Sequence, residues 1–87
     1  MKDQRHFGNA TVSREAAQTM TLIADLDRIV QIIDSEITSQ EEAARVFDHS
    51  QIEYPVLARA LAARRDNLRQ TIAALEQRLA AMEGSQV

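Results

Sequence analysis

Residues 54–83 read YPVLARALAARRDNLRQTIAALEQRLAAME, with one proline near the start and no glycine. One row of side chains in this stretch recurs every seven residues: Tyr54, Leu61, Leu68, Leu75, Met82. A companion row follows at the same interval: Ala58, Arg65, Ile72, Leu79. Two mainly apolar rows at this spacing line one face of an α-helix, as in a coiled coil. The stretch predicts one long amphipathic helix with its proline in the first turn.

An earlier stretch, residues 12–37, carries the same repeat. Its two rows are Ala16, Ile23, Val30, Ile37 and Thr19, Leu26, Ile33. Leu22 and Ile29 widen the apolar stripe beside these rows, and Ile32 lies further round the helix. A stripe of this width faces more than one neighbouring helix. The sequence therefore predicts a second long helix that has more than one packing partner.

The segment between the two helices has two alternative interpretations. Residues 39–42, SQEE, match a capping box, which favours a short separate helix over residues 40–47. Alternatively, residues 38 and 39 lie inside one longer helix. Residues 48–51, DHSQ, are rich in turn formers, so the chain is expected to reverse direction there.

The fold class predicted from these elements is all-α, an antiparallel helical hairpin with a short helical elbow. We expect a flexible tail over residues 1–10, one domain over 11–84 with helices at about 12–37, 40–47 and 54–83, and a C-terminal tail over 85–87. The predicted core seam is Ile23, Leu26, Val30, Ile33, Leu61, Leu68, Ile72, Leu75, Leu79. Two helices alone form a thin core in a chain of 87 residues without cysteine, so a homodimeric four-helix bundle is expected.

Arg65 interrupts an otherwise apolar row. If Ile37 lies beside Pro55, Arg65 is level with Asp27, and its head would pair with that carboxylate while its stem covers the core. A second interpretation is a polar seam position that sets register or oligomeric state at some cost in stability. A ligand-binding arginine is the third.

No catalytic residue, cofactor or metal site is predicted. The two histidines, His6 and His49, lack the HExxH and paired Glu-x-x-His spacings of metal sites. The chain has no glycine-rich phosphate loop and no G-x-S-x-G motif. It has neither an apolar N-terminal region of signal-peptide length nor the roughly 20 apolar residues that span a bilayer, so no membrane contact and a cytoplasmic location are expected.

The leading functional hypothesis is a non-enzymatic helical interaction protein, a small bacterial adaptor, regulator or chaperone-like module that self-associates and contacts another protein. Bacterial origin is suggested by the richness in Ala and Arg, and Ile32 and Phe47 are the candidate partner contacts. The alternative is a nucleic-acid-binding hairpin dimer that uses a basic face formed by Arg59, Arg64, Arg65, Arg69. The net charge of −3 and the three aromatic residues disfavour this alternative.

Overall fold

The computed structural model describes residues 2–84, and it describes the side chains of residues 14–84. It contains two α-helices, α1 (Lys2–Ala44) and α2 (Val56–Gly84), which residues 45–55 connect. The two helices pack against each other in opposite directions, which confirms the prediction of an all-α helical hairpin. The molecule measures 66 × 17 × 14 Å, and the long dimension matches a single helix of 43 residues at about 1.5 Å per residue.

The structure corrects the predicted end of the first helix. The helix continues through residues 38 and 39 to Ala44, so the separate helix over residues 40–47 is wrong and the longer-helix alternative is right. The Thr38 hydroxyl donates to the Asp34 carbonyl at 3.1 Å, which satisfies the side chain inside the helix. Neither proline nor glycine interrupts this segment, and adding a residue to a helix that has already formed is easy.

The beginning of α1 also differs from the prediction. Residues 2–10, predicted to be a flexible tail, form the first turns of the helix. The same extension of an existing helix accounts for this, because no proline precedes Pro55. The predicted C-terminal tail over residues 85–87 lies outside the described residues.

The connection reverses the chain through a series of tight turns. Arg45 adopts the left-handed conformation with φ of 57°, and the Val46 N–H donates back to the Glu41 carbonyl at 3.3 Å, a common way to end a helix. Two turns follow, in which the Gln51 N–H donates to Asp48 and the Tyr54 N–H donates to Gln51, each at 3.1 Å. The reversal therefore occupies residues 45–55.

α2 begins at Val56, two residues later than predicted. The Arg59 N–H donates to the Pro55 carbonyl at 3.1 Å, so Pro55 stands at the very start of the helix, where its missing N–H costs nothing. The helix ends at Gly84, one residue past the predicted boundary.

The most buried part of the core lies beside the chain reversal. Ile33 and Ile37 of α1 pack there with Tyr54 and Ala58, which is fully enclosed. Among the predicted seam residues, those that are buried are Val30, Ile33, Ile72. The half-buried ones are Ile23, Leu26, Leu61, Leu68, Leu75, Leu79. The small Ala58 side chain at the tightest point allows the two helices to approach closely.

The alignment of the two helices is shifted by seven residues from the prediction. Arg65 lies opposite Asp34 instead of Asp27, with 3.0 Å between its Nη1 and the Asp34 Oδ1. The cause is the length of α1, which ends at Ala44 and not near residue 37. Because the chain reverses about seven residues later, each position of α2 faces a position of α1 that lies about seven residues further on.

We expect Ala58→Leu to lower the free energy of unfolding by about 1–3 kcal/mol, because the enclosed site has no room for the larger side chain. Urea denaturation followed by circular dichroism measures the change. Ala63→Leu is the matched control, since residue 63 is exposed on the same helix and should change stability little. Equal effects of the two substitutions would show that the helices do not meet at Ala58.

Candidate interaction surfaces

The hairpin has two grooves, one on each side of the contact between its helices. We call one the polar groove, because the ion pairs between the helices lie along it: Asp34, Arg65, Arg69. We call the other the apolar groove, because exposed and half-buried aliphatic side chains line it: Leu22, Ile32, Leu57, Leu61, Leu75.

Arg65 is the centre of the polar groove. Besides its contact with Asp34, its Nε lies 3.4 Å from the Asp66 Oδ1, and Arg69 reaches the other Asp34 oxygen at 3.5 Å. The hydrogen bond that Arg65 donates to Asp34 raises the pKa of Arg65 above its ordinary value, and the hydrogen bond to Asp66 raises it further. The half-buried stem with a paired head fits the structural interpretation of this arginine, with Asp34 in place of Asp27.

A polar clasp, formed by Glu41, His49, Gln51, Tyr54 and Arg59, ties the connection to both helices. The Tyr54 hydroxyl donates to the Glu41 Oε2 at 2.9 Å, and the His49 Nε2 lies 3.3 Å from the same oxygen. The His49 and Tyr54 ring centres are 4.6 Å apart. Arg59 lies over the Tyr54 ring at 5.3 Å and donates to the Gln51 carbonyl at 2.7 Å. These contacts restrict the conformations that the connection can adopt.

The predicted basic face is not assembled as one surface. Arg65 and Arg69 pair with Asp34, and Arg59 belongs to the clasp. Arg64 lies on the side of the apolar groove, seven residues after Leu57 and fourteen before Arg78, which both line that groove. The sequence could not show this separation, because it depends on which acidic residues of α1 stand opposite.

The apolar groove holds two shallow depressions along the length of the hairpin. Ile32, Leu57 and Leu61 line the one nearer the connection, and Leu22 and Leu75 line the one nearer the end of α2. Leu22, Ile32 and Leu57 remain 46%, 53% and 54% exposed. Leu22 and Ile32 are among the positions that widen the apolar stripe in the sequence. The second helix of the hairpin leaves them uncovered.

Four charged side chains border the apolar groove without an ion pair. Glu15 and Arg78 line its far depression, and Glu36 lines the near one. Arg64 stands one helical turn beyond Leu61 on the same side. Within residues 14–84, none of these four groups lies within salt-bridge distance of an opposite charge, in contrast to the paired residues of the polar groove.

The two predicted partner contacts belong to different surfaces. Ile32 lies in the apolar groove, whereas Phe47 lies in the connection, beyond the end of α1. The twelve residues from Ile32 to Ala44 alone span about 18 Å of helix. We call the end that carries Phe47 the hairpin tip, defined by Phe47, Ile52 and Val56, which are all exposed.

The described part of the chain offers little to a metal ion. No group of three or more His, Cys, Asp or Glu residues in it has an arrangement suited to metal binding. His49 is held in the clasp, and the side chain of His6 lies outside the described residues. None of the described helices has an apolar stretch long enough to cross a bilayer.

Comparison with protein-family models, with curated proteins and with solved structures finds no match to this chain.

The clasp generates a prediction about the ionisation of Tyr54. Burial, and next the hydrogen bond to Glu41, raise the pKa of this hydroxyl above the ordinary value of 10.0. The ionised form is disfavoured in the fold, so the stabilisation is complete below pH 10 and is lost as the pH rises through the folded pKa. Tyr54 is the only tyrosine and tryptophan is absent, so ultraviolet absorption titrates this group directly.

We expect the native chain to titrate at higher pH than the chain in denaturant. Glu41→Gln should lower the midpoint, yet leave it above the denatured value because burial persists. Identical midpoints for the native and denatured chains would contradict the clasp.

Proposed function

We propose that this chain is a non-enzymatic helical interaction protein whose apolar groove binds a second copy of the hairpin to form a four-helix bundle. A small bacterial adaptor, regulator or chaperone-like module in the cytoplasm is the role that suits such an assembly. The apolar groove, with its uncovered aliphatic side chains and unpaired border charges, is the single observation that supports the proposal most strongly.

The first argument is the free energy of burial. Removing a Leu or Ile side chain fully from water contributes about 1.5–3 kcal/mol, so a side chain that is half exposed has roughly half of this still to gain. Leu22, Ile32 and Leu57 are in that condition, and Ile29 lies seven residues after Leu22 on the same stripe. A symmetric dimer counts each of these contributions twice.

The second argument is the order of the border charges. Along α1 both charges are acidic, Glu15 and Glu36, and along α2 both are basic, Arg64 and Arg78. By the alignment of Asp34 with Arg65, Glu36 lies within about one residue of the level of Arg64. Glu15 and Arg78 line the same depression, about six residues, or roughly 9 Å, apart in level. α1 of one copy is therefore complementary in charge to α2 of another copy at the same level.

This order of charges selects one symmetry for the dimer. A two-fold axis parallel to the helices sets α1 against the partner's α2 with levels preserved, so that Glu36 faces the partner's Arg64 and Glu15 has the partner's Arg78 as its nearest border charge. A two-fold axis across the helices sets α1 against the partner's α1, where Glu15 would meet the partner's Glu36 and Arg64 would meet the partner's Arg78. Like charges brought together destabilise an interface, so the parallel axis is favoured.

We expect the chain to sediment with twice its 9.8 kDa mass at micromolar concentration. Leu22→Gln combined with Ile32→Gln should shift the equilibrium to the monomer, because two polar amides would then face the groove. Analytical ultracentrifugation measures this change. Met20→Gln is the matched control, because Met20 is 55% exposed but lies on the opposite edge of the stripe. A wild-type monomer, or dissociation caused by the control alone, would contradict the groove as the interface.

Mixing two charge-reversed variants tests the pairing between copies. Glu36→Arg gives a chain with two basic groups, at positions 36 and 64. Arg64→Glu gives a chain with two acidic groups at the same positions. Each variant alone should dimerise about 2- to 30-fold more weakly, given some tenths to one kcal/mol for each of the two symmetric pairs. The mixture should form heterodimers at near wild-type strength, because both pairs between the chains are then attractive.

Restoration in the mixture cannot come from pairing within one chain, since each chain keeps its own repulsive pair. Absence of heterodimers in native mass spectrometry of the mixture would contradict the proposed arrangement. Asp27→Arg is the control and should leave dimerisation unchanged, because Asp27 is exposed on the side of the polar groove, seven residues before Asp34.

A further inference from the structure

The hairpin tip combines strong exposure with a rigid support. Ile52 is 96% exposed, Val56 is 80% exposed and Phe47 is 60% exposed, and all three lie within ten consecutive residues at one end of the molecule. Scattered single apolar residues are normal on a protein surface, but such side chains gathered at one end mark an interaction site. The tip residues contribute nothing to the core, which contains Ile33, Ile37, Tyr54 and Ala58 instead.

The clasp beneath the tip fixes its conformation. Tyr54 and Glu41 are joined across the connection by their hydrogen bond, and Arg59 holds the Gln51 carbonyl next to Ile52. The Asp48 carboxylate accepts hydrogen bonds from the Ser50 N–H at 3.0 Å and the Ser50 hydroxyl at 2.7 Å. A surface held in one conformation loses less entropy on binding than a mobile loop does. The exposed apolar side chains of the hairpin tip are therefore supported by a hydrogen-bonded connection.

Acidic side chains outnumber basic ones at the hairpin tip. Glu42, Asp48 and Glu53 are exposed at this end, against two exposed arginines, Arg45 and Arg59, of which Arg59 is engaged by the Gln51 carbonyl and the Tyr54 ring. The Ser50 hydrogen bonds keep the pKa of Asp48 below its ordinary value, so this carboxylate is ionised at neutral pH. The tip is thus an apolar surface with a negative border.

We propose that the hairpin tip is a docking site for another protein, one that offers an apolar surface bordered by Lys and Arg side chains. A second copy of the tip does not fit, because the carboxylates of the two tips would repel each other. An anionic membrane is disfavoured for the same reason. The site is separate from the apolar groove and does not depend on dimerisation.

A short amphipathic peptide of Leu and Lys is the probe that represents this chemistry. Because the chain has no tryptophan, a single Trp in the peptide reports binding by fluorescence. Two comparison peptides replace all Lys by Glu, or all Leu by Ser. We expect the Leu and Lys peptide to bind more tightly than either comparison, since both the apolar and the basic parts contribute.

Phe47→Ser, Ile52→Ser and Val56→Ser combined should weaken this binding about tenfold or more, because the apolar contact is lost while the exposed positions leave the fold intact. Circular dichroism checks the fold. Leu22→Ser combined with Ile32→Ser, two exposed sites in the apolar groove, is the matched control and should retain the wild-type affinity whether or not it dimerises. Failure of dimerisation and failure of tip binding are thus distinguished.

Three results would overturn the proposal. The first is absence of peptide binding, or equal affinity of the tip variant and the wild type. The second is equal affinity for the Leu and Glu peptide, which would remove the role of the acidic border. The third is tighter binding to vesicles containing phosphatidylglycerol than to the peptide, which would make the partner a membrane.

Discussion

The hydrogen bond between the Tyr54 hydroxyl and the Glu41 carboxylate, 2.9 Å long, is the contact on which the rest of the structure depends. It joins the last turns of α1 to the second residue before α2, and Tyr54 shares the buried core cluster with Ile33 and Ile37. A tyrosine buried with its hydroxyl paired combines a large apolar contact with a directional one. Because this hydrogen bond links residue 41 to residue 54 across the connection, it stabilises the alignment of the two helices that follows from the end of α1 at Ala44.

That alignment makes the two sides of the hairpin chemically different. On one side, it brings Asp34 to Arg65 and Arg69, so the charges of the two helices satisfy one another. On the other side, it leaves aliphatic side chains between acidic positions of α1 and basic positions of α2. The proposed dimer follows from this difference: ion pairs between the helices lie in the polar groove, whereas the apolar groove has uncovered aliphatic area and border charges that can pair with another copy. A two-fold axis parallel to the helices would also place both hairpin tips at the same end of the bundle.

Much of the fold was predictable from the sequence, because the period of seven in residues 12–37 and 54–83 is a local property. The end of α1 was not, since the capping box at residues 39–42 satisfies the same backbone groups that a continuing helix satisfies internally. The wrong end of α1 also gave Arg65 the wrong predicted partner. When the chain reverses seven residues later, the carboxylate opposite Arg65 is that of Asp34 instead of Asp27. The contacts of Tyr54 and Arg59 in the clasp were not predictable, because they depend on the turns of the connection and the heptad repeat says nothing about those turns. The exposure of Ile52 likewise follows from the turn geometry and not from its residue type.

The arrangement of the two copies is tested most directly by distances between spin labels in the dimer. The chain contains no cysteine, so Ala17→Cys, Ala24→Cys and Gln31→Cys each introduce one label per copy, at exposed positions seven residues apart on α1 that do not line the apolar groove. With the two-fold axis parallel to the helices, pulsed electron paramagnetic resonance should give nearly the same distance at all three positions. With α1 against the partner's α1, the axial offset would change by about 21 Å for each step of seven residues, twice the helical rise of those residues. Strongly different distances, or no distance between copies at all, would contradict the account.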